Sequence, residues 1–256
     1  MESALVKKGL TGNQIKMIGV VLMFIDHIHQ MFFMYGVPTW VDWFGRPVAM
    51  IFLFFCAEGF HYTRNRTRYL LQLLAGYVLM LILSELLWRV MPSEVQLINS
   101  IFGTLFLAAW LMLAVDTIRA RKIVKGILML LAPVASSVLV YVVMMNDAFI
   151  PALKFVRVIP NFLTVEGSFM YPILGLLFYL LRKNRWLQMI PLAAFSIYLA
   201  VNGSSSWLCI FAAIPLLLYN GQRGKGSKYF FYIFYPAHIY GLYILSYLYG
   251  KIQGVI

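Results

Sequence analysis

Long apolar segments, separated by short basic loops, run through most of this 256-residue chain. A helix needs about 20 apolar residues to cross the roughly 30 Å hydrocarbon core of a bilayer. Lipid cannot satisfy backbone polar groups, so only helices and closed barrels span it. The sequence therefore predicts an all-α polytopic membrane protein, with about nine transmembrane helices in a single domain over residues 1–256. The predicted spans are 13–35, 41–62, 69–90, 97–117, 124–145, 168–182, 186–202, 204–220 and 229–249.

The composition excludes a soluble protein. Hydrophobic residues make up 62% of the chain and charged residues only 12%, with a mean hydropathy of +0.82. The net charge of +12 would suit nucleic acid, but the Lys and Arg residues lie in short clusters between apolar segments, as cytoplasmic loops do. Cys56 and Cys209 lie within apolar segments and indicate neither a disulfide framework nor a metal site. We expect membrane lipid as a partner, and neither nucleic acid nor a metal.

Basic loop residues predict the orientation of the chain. If the N-terminus is cytoplasmic, the cytoplasmic loops hold about three times as many Lys and Arg residues as the loops on the other side. The cytoplasmic residues are then Lys7, Lys8, Arg64, Arg66, Arg68, Arg119, Arg121, Lys122, Lys125, Arg182, Lys183, Arg185, Arg223, Lys225 and Lys228. This places the C-terminus outside. The segment 147–166, broken by Pro151 and Pro160, is predicted to lie along the interface or to dip into the protein.

The first predicted span carries ionisable side chains that a simple anchor would not need. Asp26 and His27 lie well inside it, where each ionisable side chain costs about 2.5–3.5 kcal/mol. Lys16 precedes His27 by eleven residues, so at 3.6 residues per turn the two share one stripe of the helix, roughly 16 Å apart. We interpret His27 as a general base and Asp26 as a carboxylate that orients or charges it. The alternative is a buried histidine that bonds another helix.

The second predicted span ends in polar residues near the cytoplasmic boundary. Glu58 and His61 are three residues apart and share a helix face, and Arg64, Arg66 and Arg68 follow them. Guanidinium groups suit bidentate binding of phosphate. The sequence therefore predicts an anion site here, with Glu58 as a second candidate for the catalytic carboxylate. The alternative is an ordinary basic loop.

Later spans supply candidates for binding the substrate. Glu85 and Asn99 fall at a depth similar to that of the polar residues in the first span, so we expect them in the same outer pocket. The alternative for Glu85 is an ion pair with Arg89, four residues on. In the last span, His238 is a second histidine within the membrane, with Tyr235 beside it. Two such histidines, remote in sequence, favour a composite site, although each also fits a hydrogen bond within a helix bundle.

Three stretches of the sequence resemble the TraX family, which is named after a membrane protein that N-acetylates F-pilin. They are IDHIHQMF, WFGRPVAMIFLFFCAEGFHYTRNRTRYLLQLL and KYFFYIFYPAHIYGLYIL, in the order of the family's own elements. His29 stands where the family has glycine, and Ala49, Met50 and Ile51 stand where it has Ala-Phe-Pro. Between about 120 and 225 the likeness is one of hydropathy. The resemblance implies a multi-pass protein of the bacterial cytoplasmic membrane.

The layout is also similar to that of the acyltransferase-3 superfamily, whose members pair a basic residue with a histidine eleven positions later, as Lys16 and His27 do. This resemblance implies transfer of an acyl group, most simply from acetyl-CoA, to an amine or hydroxyl acceptor in or across the membrane. The acceptor is a peptide such as a pilin N-terminus, a glycan or a lipid-linked group. His27 then removes the acceptor's proton. The arginines from Arg64 to Arg68, with His61 and Lys16, hold the CoA donor.

Two other classes of function stay open on the sequence. Intramembrane Asp, Glu and His residues also form proton relays, so a proton-coupled small transporter or flippase is the main alternative. The sequence shows neither the internal repeat nor the paired broken helices that favour such a transporter. The third class is a membrane scaffold whose polar residues only hold helices together. Turnover of acyl-CoA would separate the enzyme from both.

Overall fold

The computed structural model describes residues 8–95, 97, 100–226 and 229–254, which are mostly helical and include no β-strand. The helices are α1 (Gly12–Phe32), α2 (Val48–Tyr62), α3 (Arg66–Val90), α4 (Ile101–Arg119), α5 (Ile123–Met144), α6 (Leu153–Val156), α7 (Met170–Leu180), α8 (Arg185–Val201), α9 (Ala213–Leu217) and α10 (Phe230–Gln253). Short 3₁₀ segments occupy Phe33–Tyr35, Thr39–Gly45, Asp147–Ala152 and Ser205–Ala212. The predicted all-α class is confirmed.

Five helical segments are long and apolar enough to cross a membrane. They are Gly12–Tyr35, Thr39–Tyr62, Arg66–Val90, Ile101–Arg119 and Ile123–Met144, and they match the first five predicted spans closely. The other four predicted spans correspond to α7, α8, the segment Ser205–Leu217 and α10. At a rise of about 1.5 Å per residue, the eleven residues of α7 cover only about 16 Å. The count of nine crossings and the placement of the two termini stay predictions.

The chain divides into two compact units. Unit 1 consists of Met1–Phe52 and Asn184–Ile256, and unit 2 consists of Leu53–Lys183. Unit 1 therefore joins both ends of the sequence, whereas unit 2 is one continuous stretch. The single domain expected from the sequence stays a prediction.

In unit 1, the first and the last helix lie side by side and run in the same direction. Lys16 Nζ lies 5.4 Å from the centroid of the Phe231 ring, near the start of both helices. Further along, Ser246 Oγ donates a hydrogen bond to the carbonyl oxygen of Met31 at 2.5 Å. Residue numbers rise together in α1 and α10, so the pair is parallel. This arrangement brings residues from both ends of the sequence to one place.

A loop of unit 1 fixes the point at which α1 begins. The side chain of Thr11 caps the helix. The carbonyl oxygens of Gln222 and Arg223 accept hydrogen bonds from the N–H groups of Gly12 and Asn13 at 2.8 and 2.9 Å. The first N–H groups of a helix have no partner within it, so the loop satisfies two of them. The position of the polar stripe along α1 is set in this way.

Unit 2 is organised around α4, most of whose residues are buried. Helix α7 approaches α4 closely because Gly175 has no side chain. A Cβ at Gly175 would lie 2.9 Å from the Cβ of Ala108, which is closer than carbon atoms pack. Glycine at this position therefore lets the backbones of α7 and α4 come together.

The segment between α5 and α7 enters unit 2. Asn161 is fully buried and makes four hydrogen bonds within its own loop, at 2.8 to 3.1 Å. Thr104 of α4 donates a hydrogen bond to the carbonyl oxygen of Glu166 at 2.8 Å. The sequence predicted that 147–166 lies along the interface or dips into the protein. The part around Asn161 dips into the protein.

Candidate active site

Two histidines face each other in unit 1, one from each of the parallel helices. The ring centroids of His27 on α1 and His238 on α10 are 4.9 Å apart, and the ring planes meet at 89°. His27 is largely buried, and His238 is only 7% exposed. Phe234, one turn before His238, stacks on the His238 ring at 4.6 Å. The two intramembrane histidines predicted from the sequence therefore form one cluster.

Hydrogen bonds to the backbone decide which nitrogen of each imidazole carries the proton. His27 Nδ1 lies 2.7 Å from the carbonyl oxygen of Met23, and His238 Nδ1 lies 2.8 Å from that of Phe234. A carbonyl oxygen only accepts hydrogen bonds, so each Nδ1 donates and each neutral ring keeps its lone pair on Nε2. His238 Nε2 is buried and has no hydrogen-bond partner among the described residues. The pair therefore offers two nitrogens that can accept a proton.

Asp26 lies next to His27 and packs against the backbone of Gly45. Asp26 Oδ2 is 4.0 Å from His27 Nδ1, which is too far for a hydrogen bond but close enough to stabilise a positive charge on the ring. A Cβ at Gly45 would overlap the Asp26 carboxyl group. Glycine at the end of the Thr39–Gly45 segment is what leaves room for this carboxylate beside His27.

Lys16 and Tyr235 also contribute to the α1–α10 interface. The contact of Lys16 with Phe231 and that of His27 with His238 both face α10, which confirms that Lys16 and His27 share one stripe. Tyr235 is buried, with its ring centroid 5.8 Å from that of His238. Tyr235 therefore belongs to the histidine cluster, whereas Lys16 lies nearer the start of α1.

A second polar group lies where several helices of unit 2 begin or end. Asp116, near the end of α4, binds Arg66 at the start of α3 with an Nη1–Oδ2 distance of 2.7 Å. Arg119 lies 3.5 Å from the same carboxylate, and the Tyr179 hydroxyl donates to it at 2.7 Å. The guanidinium group of Arg66 also lies over the Phe60 ring, at 4.9 Å. Arg66, predicted to bind CoA, is therefore already paired with a carboxylate.

Arg182, which follows α7, lies in the same region of unit 2. Its guanidinium group lies over the Tyr62 ring at 5.6 Å, and its Nε lies 4.0 Å from Glu58 Oε1. Glu58 is 8% exposed, and Arg182 Nε is buried without a hydrogen-bond partner in the described part of the chain. The sequence marked Arg182 only as one basic loop residue among many. No local pattern signals its approach to Glu58, because more than a hundred residues separate them.

The remaining basic residues of the predicted anion site are more accessible. Arg64 and Arg68 are exposed, and His61 is partly exposed beside them. The Asn65 side chain accepts a hydrogen bond from the Arg68 N–H at 2.8 Å and caps α3. Exposed guanidinium groups at the start of a helix suit a phosphate ligand. The three arginines therefore differ: Arg66 is bound to a carboxylate, whereas the other two face outward.

The other two residues predicted to bind the substrate are Glu85 and Asn99. Glu85 accepts a hydrogen bond from Arg89 Nε at 2.9 Å, and both side chains are about half exposed or more. The ion pair considered as the alternative for Glu85 is therefore present. Asn99 lies outside the described residues. Within the described ranges, no group of three or more His, Cys, Asp or Glu residues could hold a metal ion.

Comparison with known proteins identifies the family. The family model described as "TraX protein" matches residues 11–246, which is most of the chain. The chain belongs to the TraX family. The match to TraX extends from the cap of α1 to Ser246 of α10, so it includes both polar groups described above. The kinship with the acyltransferase-3 superfamily stays an expectation, and no curated protein and no solved structure matches the chain.

Proposed function

We propose that this member of the TraX family is an integral-membrane acyltransferase that transfers the acetyl group of acetyl-CoA to an amine or hydroxyl group. The observation that carries the proposal is the buried pair of His27 and His238, which presents two Nε2 lone pairs. Buried side-chain nitrogens normally have a hydrogen-bond partner. His238 Nε2 has no such bond among the described residues, as expected where a substrate donates instead.

His27 is the general base of the proposed reaction. Its Nε2 accepts the proton of the acceptor N–H or O–H group as the acceptor atom attacks the thioester carbonyl carbon. Asp26 stabilises the imidazolium ion that forms, because its carboxylate lies within 4.0 Å of the ring. Acetyl-CoA supplies the activated acetyl group, and the proton returns from His27 to the departing sulfur. The products are the acetylated acceptor and free CoA.

The charges of unit 2 support acetyl-CoA as the donor. Arg64 and Arg68 are exposed, and Arg182 carries a buried guanidinium N–H without a hydrogen bond among the described residues. CoA carries several negative charges on its phosphates, and guanidinium groups are the side chains best suited to bind phosphate. These residues thus fit the group they would hold. They also belong to loops predicted to be cytoplasmic, where acetyl-CoA is available.

The proposed location is the cytoplasmic membrane of a bacterium, with the N-terminus inside. The five long apolar helices support a multi-pass membrane protein, and the distribution of basic loop residues supports the orientation. The proposed acceptor is a peptide, a glycan or a lipid-linked group that reaches the histidine cluster from the membrane or from its outer side.

Transfer of label from radioactive acetyl-CoA to host membrane components tests the proposal. We expect the wild-type protein to label an acceptor and His27→Ala to lower the rate by about a hundredfold or more, because a general base contributes roughly 10²–10⁴ in rate. His29→Ala is the matched control, since His29 lies on another face of α1 and should keep the wild-type rate.

Wild-type turnover in His27→Ala would show that His27 is not the base. A folded wild-type protein that neither transfers nor hydrolyses acetyl-CoA would contradict the enzymatic proposal as a whole. In that case, a proton flux through reconstituted vesicles would favour the transporter.

A further inference from the structure

We infer that Arg182, held in place by Glu58 and Tyr62, binds a phosphate group of the acyl-CoA donor. The identity of the donor rests on the proposed function above. Arg182 lies outside all three stretches that resemble the TraX elements, so its role comes from the structure alone.

Arg66 and Arg182 each lie near a carboxylate of unit 2, but only Arg66 is within hydrogen-bonding distance of it. Arg66 Nη1 lies 2.7 Å from Asp116, the length of a charge-assisted hydrogen bond. Arg182 Nε lies 4.0 Å from Glu58, beyond hydrogen-bonding distance. Asp116 therefore accepts a hydrogen bond from Arg66. Glu58, in contrast, neutralises part of the charge of Arg182 without accepting a hydrogen bond from it.

The guanidinium group of Arg182 keeps its hydrogen-bonding capacity. A guanidinium group has five N–H donors, and the Arg182 side chain makes no hydrogen bond with the described residues. The side chain is 23% exposed, and Nε is its buried nitrogen without a hydrogen bond in the described part of the chain, whereas the terminal nitrogens stay open to a ligand. A phosphate accepts two N–H groups at once in the planar geometry that arginine presents, and the terminal nitrogens of Arg182 offer such a pair.

Tyr62 and Glu58 position the Arg182 guanidinium between an exposed and a buried residue of unit 2. The ring of Tyr62 lies 5.6 Å from it and attracts it through the π face, an interaction that uses no N–H donor. Tyr62 is the last residue of α2 and is 68% exposed, whereas Glu58, one turn earlier, is buried. Glu58 lies at the Nε edge, so the terminal nitrogens serve the phosphate. The exposed Arg64 follows shortly after Tyr62 and adds positive charge.

Equilibrium binding of acetyl-CoA to the full chain in neutral detergent tests this inference. Arg182→Gln is expected to weaken binding about tenfold or more, the usual loss for charge-assisted hydrogen bonds. Lys183→Gln is the matched control, because it removes the same charge from an exposed neighbour and should change affinity by less than about threefold. Arg182→Lys keeps the charge but loses the planar fork, so its affinity should lie between the two.

The outcomes separate this inference from the proposed function. If the wild type binds acetyl-CoA tightly and a folded Arg182→Gln protein binds it equally well, the proposed role of Arg182 is wrong. The proposal that acetyl-CoA is the donor is then unaffected. A folded wild-type protein that binds no acetyl-CoA overturns both. A third experiment measures binding to nanodiscs with and without phosphatidylglycerol, an anionic lipid with a phosphate headgroup. If Arg182→Gln lowers only the affinity for the anionic lipid, the phosphate belongs to a lipid headgroup and the inference is wrong.

Discussion

Asp26 and Gly45 fit together so closely that each limits what the other position can hold. A Cβ on Gly45 would overlap the Asp26 carboxyl group. We therefore expect Gly45→Ala to displace this carboxylate from His27 and to destabilise the protein by about 1–3 kcal/mol, the usual cost of overpacking. The proposed acetyl transfer should slow as well. Thermal unfolding in detergent and the transfer rate measure the two effects.

Gly241→Ala is the matched control for Gly45→Ala. Gly241 lies in α10 with open space around the position of a Cβ. Alanine within a helix is about 0.5–1 kcal/mol more favourable than glycine, so the unfolding temperature should rise slightly and the transfer rate should stay the same. If Gly45→Ala and Gly241→Ala behaved alike, the close contact of Gly45 with Asp26 would be refuted.

Single residues show what a sequence alone can and cannot predict about the site. Helical spacing placed Lys16 and His27 on one stripe, and their common contact with α10 confirms it. The pairing of Arg66 with Asp116 was not predicted, and neither was the approach of Arg182 to a carboxylate. Spacing describes neighbours on one helix only, whereas these pairs depend on which helices pack together.

Among the connecting elements, the loop around Asn161 is expected to be the most sensitive to a small change. Asn161→Ala removes four hydrogen bonds of a fully buried side chain and leaves three backbone groups without that partner. We expect a loss of about 2–6 kcal/mol in the free energy of unfolding, since each of the four hydrogen bonds contributes about 0.5–1.5 kcal/mol. Thermal unfolding measures it.

Asn146→Ala serves as the control for the loop. The Asn146 side chain is exposed and accepts one hydrogen bond, from the Ala148 N–H at 3.1 Å. Exposed substitutions usually change stability by less than about 0.5 kcal/mol. An Asn161→Ala protein that unfolds at the same temperature as Asn146→Ala would contradict the structural role of this loop.

The positions of the long helices were predictable, whereas their local form was not. The second span was predicted over 41–62, but its first part is the 3₁₀ segment Thr39–Gly45, and α2 begins only at Val48. Pro47 accounts for the change, because it has no N–H to continue a helical ladder, while its carbonyl oxygen accepts from the Ile51 N–H. Hydropathy reports length and burial but not such interruptions.

For the chain as a whole, the two native cysteines provide a background for mapping the topology. Cys56 and Cys209 are 3% and 1% exposed, so a membrane-impermeant maleimide should not label the wild-type protein in intact cells. Because basic loops stay in the cytoplasm, Lys122→Cys should react only after permeabilisation. Lys251→Cys should react in intact cells. Labelling of Lys251→Cys only after permeabilisation would contradict the predicted outer C-terminus.

The parallel pairing of α1 with α10 has a consequence for the biogenesis of the protein. The ribosome makes α1 long before α10, yet Ser246 donates a hydrogen bond to the carbonyl oxygen of Met31, 215 positions away. His27 on α1 therefore has no His238 ring beside it until the intervening helices and α10 have been made. The histidine cluster is therefore complete only after α10 has been added to the fold.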